Sequence, residues 1–414
     1  MLDHAEPQKR QRSGLSRPER TGGGLAEDAV LRAARAAGCA ARAADRDRRL
    51  APEVVTALKE AGVARHFVPR RWGGHDGGFA DLISATALIA GQCPSAAWCG
   101  MLWAANGRYA ARLPEEGQRE LWGKGPDTLI AAALAPPAGA ARPVPGGWLL
   151  EGRWDCVSGV DFSHWVLLAA PVVDTPDTPV AAGAAPAGAA RAAARVLAVP
   201  RSEVRVHDTW RSTGLRGTGS NSVEVRGVFV PDRRACPLGH MLAAVAEPGA
   251  SPARQAPAHL AGGPMFCAPA LGAARLALRS WTRWATTPAA GRPAALGDPA
   301  VQRVLARSAG EIDAVALLLD RAGAGADAEP TAAHVEAVNR RDAAVAAEVL
   351  VEAVERLFRT GGVHARDDTS EVQRAWRDTH TVAAHGALRL DAAAGAYAEW
   401  GGSAWSAPAP WEVR

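Results

Sequence analysis

The spacing of apolar and polar positions divides the chain into three zones. Over 28–122 it repeats with the period of a helix. "PEVVTALKEAGV" opens on Pro52, which suits a first helical turn, and ends at Gly62. "FADLISATALIAGQCPSAAWCGMLWAANGRYAARL" carries two helical runs, and Pro94 and Ser95 start the second. "VPRRWGGHDGG" reads as a loop between these regions. From Thr128 to about Val230 the pattern shortens to strands: "GGWLLEGRWDCVSGV", "HWVLLAAPV", "RVLAV" and "SVEVRGVFVP", bounded by Gly, Pro and Asp. Four long stretches of helical period follow, over 264–286, 298–322, 331–358 and 370–400. Helices, then a small β unit, then a four-helix set predict an α+β fold. The expected units are a lead-in over 1–24, a helical domain over 25–127, a β-sandwich or barrel over 128–245 and a helical bundle over 246–405.

Composition narrows the function classes. With 48% apolar residues the 414-residue chain can bury a large core. The net charge of +4 is small beside 47 basic and 43 acidic residues, and the basic residues form no stripe, which argues against nucleic acid. The six cysteines form no C-x-x-C pair, so neither a zinc site nor a disulfide framework is expected, and reduced thiols in a cytoplasm are. No apolar run reaches the roughly 18 residues of a membrane span. The first 24 residues are polar and basic, unlike a signal peptide, and read as a disordered lead-in. Residues 174–194 are rich in Pro, Ala and Gly and read as a flexible insertion between two strands.

Three stretches carry candidate chemistry. In "RWDCVSGVDFSHW", strand alternation puts Trp154, Cys156 and Ser158 on one face, and the Ser-Gly end presents a hydroxyl and a backbone N–H to a planar ligand, or is an ordinary turn. In "WRSTGLRGTGSNSVEV", Gly214, Gly217 and Gly219 precede a strand rather than a helix, the wrong context for a dinucleotide fingerprint. They make either a plain turn or a loop whose backbone approaches a ligand, with Arg216 and Ser220 as polar contacts. "WRDTHTVAAHGALRL" has helical period and carries His380 and His385, about 140° apart on such a helix. They do not form an i, i+4 metal pair, no third ligand stands at metal spacing, and no metal is expected. Each is a core histidine or a catalyst.

Together these stretches resemble the acyl-CoA dehydrogenase fold family. The motifs are "VPRRWGG", "CPSAAW", "GRWDCVSG", "TGLRGTGSNSVEVRGVFVP" and "QRAWRDTHTVAAHGAL". Within that family the chain is similar to the oxygenase components of two-component flavin-dependent monooxygenases, of which the p-hydroxyphenylacetate hydroxylase oxygenase is the type example. Where many dehydrogenases of the family carry a glutamate base, this chain has Ala384-His385-Gly386. The resemblance implies reduced FMN or FAD, delivered by a separate NAD(P)H:flavin reductase, and O2 activated as a flavin C4a-hydroperoxide that hydroxylates an electron-rich small molecule. It implies Ser158 near flavin N5, His385 near the reacting oxygen with an ordinary pKa near neutrality, and Cys156, Trp154, Arg216 and Ser220 around the flavin. Asn106 stands where several relatives carry a histidine. Trp98, Trp103, Trp210 and His380 are candidates for the substrate pocket. A homotetramer paired through the C-terminal helices is implied too. The alternatives are N- or S-oxygenation on the same fold, an acyl-CoA dehydrogenase, and a non-catalytic member.

Overall fold

The computed structural model describes residues 24–173, 194–245, 249–288 and 294–404. The expected lead-in and insertion lie outside these residues, apart from Gly24 and Ala194, and Ala194 opens a strand.

Among the described residues five helices come first: α1 (Glu27–Asp47), α2 (Pro52–Glu60), α3 (Phe79–Ala90), α4 (Pro94–Ala110) and α5 (Glu115–Trp122). Both α2 and α4 start on proline, whose missing N–H costs nothing in a first turn. The α4 helix is apolar nearly all round and is buried nearly all round, as its composition requires.

Among the described residues two four-stranded sheets follow. Strands β1 (Ile130–Ala133), β4 (Trp165–Pro171), β5 (Ala194–Pro200) and β8 (Ala235–Pro237) form one, in the order β1-β4-β5-β8. Strands β2 (Ala140–Val144), β3 (Gly147–Val157), β7 (Asn221–Pro231) and β6 (Arg205–His207) form the other, in the order β2-β3-β7-β6. The β1–β4 pair is parallel and the other pairs are antiparallel. Val166, Leu168, Ala170, Leu197 and Val199 pack against Leu150, Trp154, Val223 and Val225 of the second sheet. The alternate residues Leu167, Ala169, Val196 and Ala198 pack against Leu113, Leu121 and Trp122 of the helical layer. The first sheet is therefore covered on both faces, which is why "WVLLAAP" is apolar without alternation.

The remaining helices are the short α6 (Leu238–Leu242) and α7 (Pro252–Gln255), then α8 (Ala258–Thr286), α9 (Pro299–Ala328), α10 (Ala333–Thr360), α11 (Glu371–Ala383) and α12 (Leu390–Ala404). The architecture is α+β with a C-terminal helical bundle. It departs from the sequence pattern in two places. The α8 helix begins six residues before Pro264 and runs through Pro264 and Pro269. Proline at 264 removes the N–H that would bond the Leu260 carbonyl, and Asn339 Nδ2 of α10 donates to that carbonyl instead, at 3.0 Å. The last helical stretch is two helices rather than one: α11 stops at Ala383, and a 3₁₀ turn over Gly386–Leu388 precedes α12.

Candidate active site

Ser158 owes its position to an irregularity in β3. The register of β3 on β7 shifts between Trp154 and Val157, and Cys156 sits there with φ 60°. A bulge adds one residue and re-aims the side chains after it. The expected common face of Trp154, Cys156 and Ser158 is thereby broken. Trp154 points between the sheets and its Nε1 donates to the Ala169 carbonyl at 2.8 Å. Cys156 is exposed. Ser158, just past the strand, is buried. Gly159 follows with φ +67°, and a Cβ there would lie 2.8 Å from the Trp103 indole nitrogen, so the close approach of this core tryptophan requires glycine.

The glycine-rich loop before β7 is held by helices. A Cβ on Gly214 would lie 2.2 Å from the Arg377 carbonyl of α11. One on Gly217 would press on Ala44 and Ser95. These glycines let the loop approach α1, α4 and α11, so the close contacts they permit are with protein rather than with a ligand. Leu215, at φ 48°, donates its N–H to Asp378 Oδ1 at 2.6 Å. Arg216 Nε donates to the Asp45 carbonyl at 2.8 Å, and the Asp45 carboxylate takes both Arg377 nitrogens, at 3.1 and 2.7 Å. The Trp210 indole closes its own loop by donating to the Leu215 carbonyl at 3.0 Å.

The two histidines part company because their helix ends between them. His385 lies outside α11 with extended backbone (φ −66°, ψ 136°), so the angle between them on a continuous helix has no meaning here. Its Nδ1 accepts the Ala387 N–H at 3.2 Å. Its ring stacks on Phe266 of α8, centroids 3.9 Å apart and 26° between planes, and meets Trp98 of α4 edge-on at 5.6 Å. Burial in this apolar surround lowers its pKa to about 4, so the imidazole is neutral at pH 7. The expected near-neutral value is corrected by that desolvation. His380 stays on α11, packs on Trp376 at 4.8 Å and faces Glu355 of α10, 3.7 Å away. Asn106, buried on α4, donates to the Ile130 carbonyl of β1 at 2.8 Å.

The structure therefore gathers Trp98, Ser158, Ser220 and His385, and leaves Trp154, Arg216, Trp210, Asn106 and His380 engaged in the framework. It adds Phe266 and Thr218. Trp98 Nε1 donates to Ser158 Oγ at 3.0 Å. Ser158 Oγ lies 2.7 Å from Ser220 Oγ, which lies 2.7 Å from Thr218 Oγ1, which donates to the Leu215 carbonyl at 2.8 Å. Trp98, Ser158, Ser220 and Thr218 are all buried. Behind them burial pushes the Asp378 carboxyl up to about 6, against the opposing pull of the Leu215 N–H and Arg377. Three aromatic rings pack together beside a single row of hydroxyls, an apolar surface next to a polar edge. Phe266 lies inside the helix expected over 264–286, but the helical period does not mark which of its apolar residues meets His385. Thr218 was visible only as part of a glycine-rich run.

Comparison with known proteins places the chain in a family. The family description "Acyl-CoA dehydrogenase, C-terminal domain" matches residues 264–390. The flavin-dependent monooxygenase oxygenase subunit HsaA of Mycobacterium tuberculosis is 30% identical over 358 residues, covering 84% of this chain and 87% of that protein. This chain belongs to the flavin-dependent monooxygenases. The FADH(2)-dependent resorcinol hydroxylase oxygenase component of Rhizobium sp. is 30% identical over 374 residues, 85% of this chain and 88% of that one. The crystal structure of the Mycobacterium tuberculosis HsaA monooxygenase superposes with a TM-score of 0.77 at 28% identity, over 92% of this chain and 98% of that one. As a member of this group the monooxygenase works with reduced flavin and O2 on the acyl-CoA dehydrogenase fold. The dehydrogenase and non-catalytic alternatives are not favoured by these relatives.

Proposed function

We propose that this monooxygenase places one oxygen atom of O2 on an electron-rich aromatic small molecule, at the junction of α4, the β3 bulge, α8 and the turn after α11. One observation carries the reading: the Trp98–Phe266–His385 wall beside the Ser158–Ser220 hydroxyl pair. Reduced FMN or FAD, when bound, supplies the activation of O2 and the oxygen atom to be transferred. The chain supplies the rest. Ser158 orients the polar edge of the ring. Trp98 and Phe266 exclude water, which keeps activated oxygen from leaving as peroxide. His385, neutral and with Nδ1 already occupied by the Ala387 N–H, offers a single N–H donor from Nε2. An aromatic substrate is supported by the relatives that oxidise phenolic rings and by the flat apolar wall.

The same reading includes a separate NAD(P)H:flavin reductase, since the glycine-rich loop lacks the strand-to-helix context of a dinucleotide site. It includes a homotetramer, supported by Leu317 of α9 and Val345 of α10, which lie exposed on the C-terminal helices. A cytoplasmic setting is supported by six free cysteines. Among the described residues no helix is long and apolar enough to cross a membrane.

The test supplies anaerobically reduced FMN or FAD, then ¹⁸O₂ and a panel of phenols including resorcinol. One ¹⁸O atom in a hydroxylated product is expected. If reduced flavin binds but every phenol leaves only hydrogen peroxide, the aromatic substrate class is wrong.

A further inference from the structure

His385 stands in the aromatic wall as a donor and nothing else. The Ala387 N–H fills Nδ1 at 3.2 Å, so the neutral ring carries its proton on Nε2 and keeps no lone pair to receive another. Asn106, on the helix that carries Trp98, is an amide bound to the Ile130 carbonyl and takes no proton either. The wall also meets no charge. Burial alone lowers the His385 pKa to about 4, and no charged side chain among the described residues adds to the fall or opposes it. The ionisable groups of each neighbouring element are engaged or remote. On α4, Arg108 donates to the Ala253, Ala256 and Pro257 carbonyls. On α11, Asp378 accepts the Leu215 N–H with Arg374 beside it. On α10, Asp342 is paired with two arginines. On α8, His259 and Arg275 stand seven and nine residues from Phe266, roughly 10 and 14 Å along the axis. The Cys99 and Cys267 thiols, next to Trp98 and Phe266 in sequence, are pushed up by burial and stay protonated.

A wall with no base and no charge is a demand on the substrate. Nothing on it removes a proton from a phenol. The desolvation that moves the imidazole from 6.5 to about 4 is a bias of about 300-fold against a charge at this place. An N–H given to a charged oxygen returns about 10–100-fold, less than the whole. A carboxylate on the ring meets the same bias with no cation to pair it. We propose that the site takes its aromatic substrate uncharged and oxidises it with its hydroxyl or amino protons in place. The class is a ring made electron-rich by two neutral oxygen or nitrogen donors, without a carboxylate, and with one lone pair aimed at His385 Nε2. This rests on the aromatic reading above. The balance is that of the same reaction: one oxygen of O2 turns a ring C–H into C–OH, the other leaves as water, and reduced flavin gives two electrons and two protons. No proton leaves the substrate before its ring carbon is attacked.

The experiment compares matched rings on the whole chain with anaerobically reduced FMN or FAD and ¹⁸O₂. Methyl 3,5-dihydroxybenzoate and 3,5-dihydroxybenzoate share one ring and differ by a charge. The ester is expected to give ¹⁸O-labelled product with a kcat/KM at least about tenfold above that of the acid, the bias against charge less what one N–H returns. Resorcinol is then set in competition with 1,3-diaminobenzene, a ring with no acidic proton, from pH 6 to pH 8. Any effect of pH on the flavin is common to both and cancels in the ratio of their products. That ratio should stay constant, whereas a reacting phenolate would raise it about tenfold per pH unit, since a phenol ionises well above this range. An acid used as well as its ester, or a ratio that climbs with pH, overturns the proposal. Peroxide alone from all four rings overturns the aromatic reading and the proposal with it, a result distinct from either of those.

Discussion

His385 and Asp378 are both ionisable and both buried beside the site, and their environments move them in opposite senses. His385 falls from 6.5 to about 4 through desolvation. Between those values only the unfolded chain takes up the proton, so this contribution to stability is whole above pH 6.5 and is lost as pH falls towards 4. Asp378 rises from 3.8 to about 6, also through desolvation. Between those values only the folded chain holds the proton, so its contribution is whole below pH 3.8 and is lost as pH rises through 6. The windows overlap and the effects oppose, so wild type should show a shallow dependence there. Thermal melts from pH 4 to 7 should separate them: His385→Asn should remove the part that rises with pH, and Asp378→Asn the part that falls. The same neutral imidazole bears on catalysis. A fixed N–H donor is worth roughly 0.5–1.5 kcal/mol, up to about tenfold in rate. His385→Ala should therefore cost about tenfold in coupled product, with oxygen leaving as peroxide, and wild-type coupling should show no inflection near pH 6.5. A loss of 10³ or more, or such an inflection, would mean that His385 transfers a proton.

Elements were legible where one periodicity ran unbroken and illegible where a single contact overrode it. The proline starts of α2 and α4 and the apolar strands β3, β4, β5 and β7 follow from pattern alone. The short strands β1, β2, β6 and β8 do not, because three to five residues carry too little alternation. Three local events shaped the site. The bulge at Cys156 turned Ser158 inward, and alternation cannot foresee an inserted residue. The break after Ala383 freed His385, and Gly386 was its available signal. The third is the passage of α8 through Pro264, which brings Phe266 to the site and depends on a residue 75 positions away in sequence, Asn339, for its orphan carbonyl. Asn339→Ala should lower stability by about 1–3 kcal/mol, the cost of a buried acceptor left unpaired. The loss should shrink in a Pro264→Ala background, where the helix supplies its own N–H, and equal losses in both backgrounds would sink this account. Gly214→Ala is the harsher test of element contact. Its Cβ meets backbone, not a flexible side chain, and the melting temperature should fall by many degrees.

At the scale of the molecule, the C-terminal helices leave Leu317 and Val345 in solvent in a single chain. Light scattering at micromolar concentration should give the mass of four chains, and replacing both residues with glutamate should give smaller species. A wild-type monomer would remove the tetramer from the reading. The fold class was visible in the order of the three zones, and Trp98, Ser158, Ser220 and His385 were named from their motifs, but their meeting was not visible, because none of the zones contains all of them. Its pieces are tied across long intervals of chain: Asp45 to Arg377 spans 332 residues, and Leu215 to Asp378 spans 163. Those ties have a consequence during biosynthesis. A ribosome adds roughly 5–20 residues per second, so tens of seconds pass between the emergence of Asp45 and that of its partner. Late in that interval the nascent chain has the Ser158 turn and the glycine loop but neither Asp378 to seat Leu215 nor His385 to meet Trp98 and Phe266. The ring cluster and the seat of Leu215 therefore assemble only after residues 378–385 have emerged.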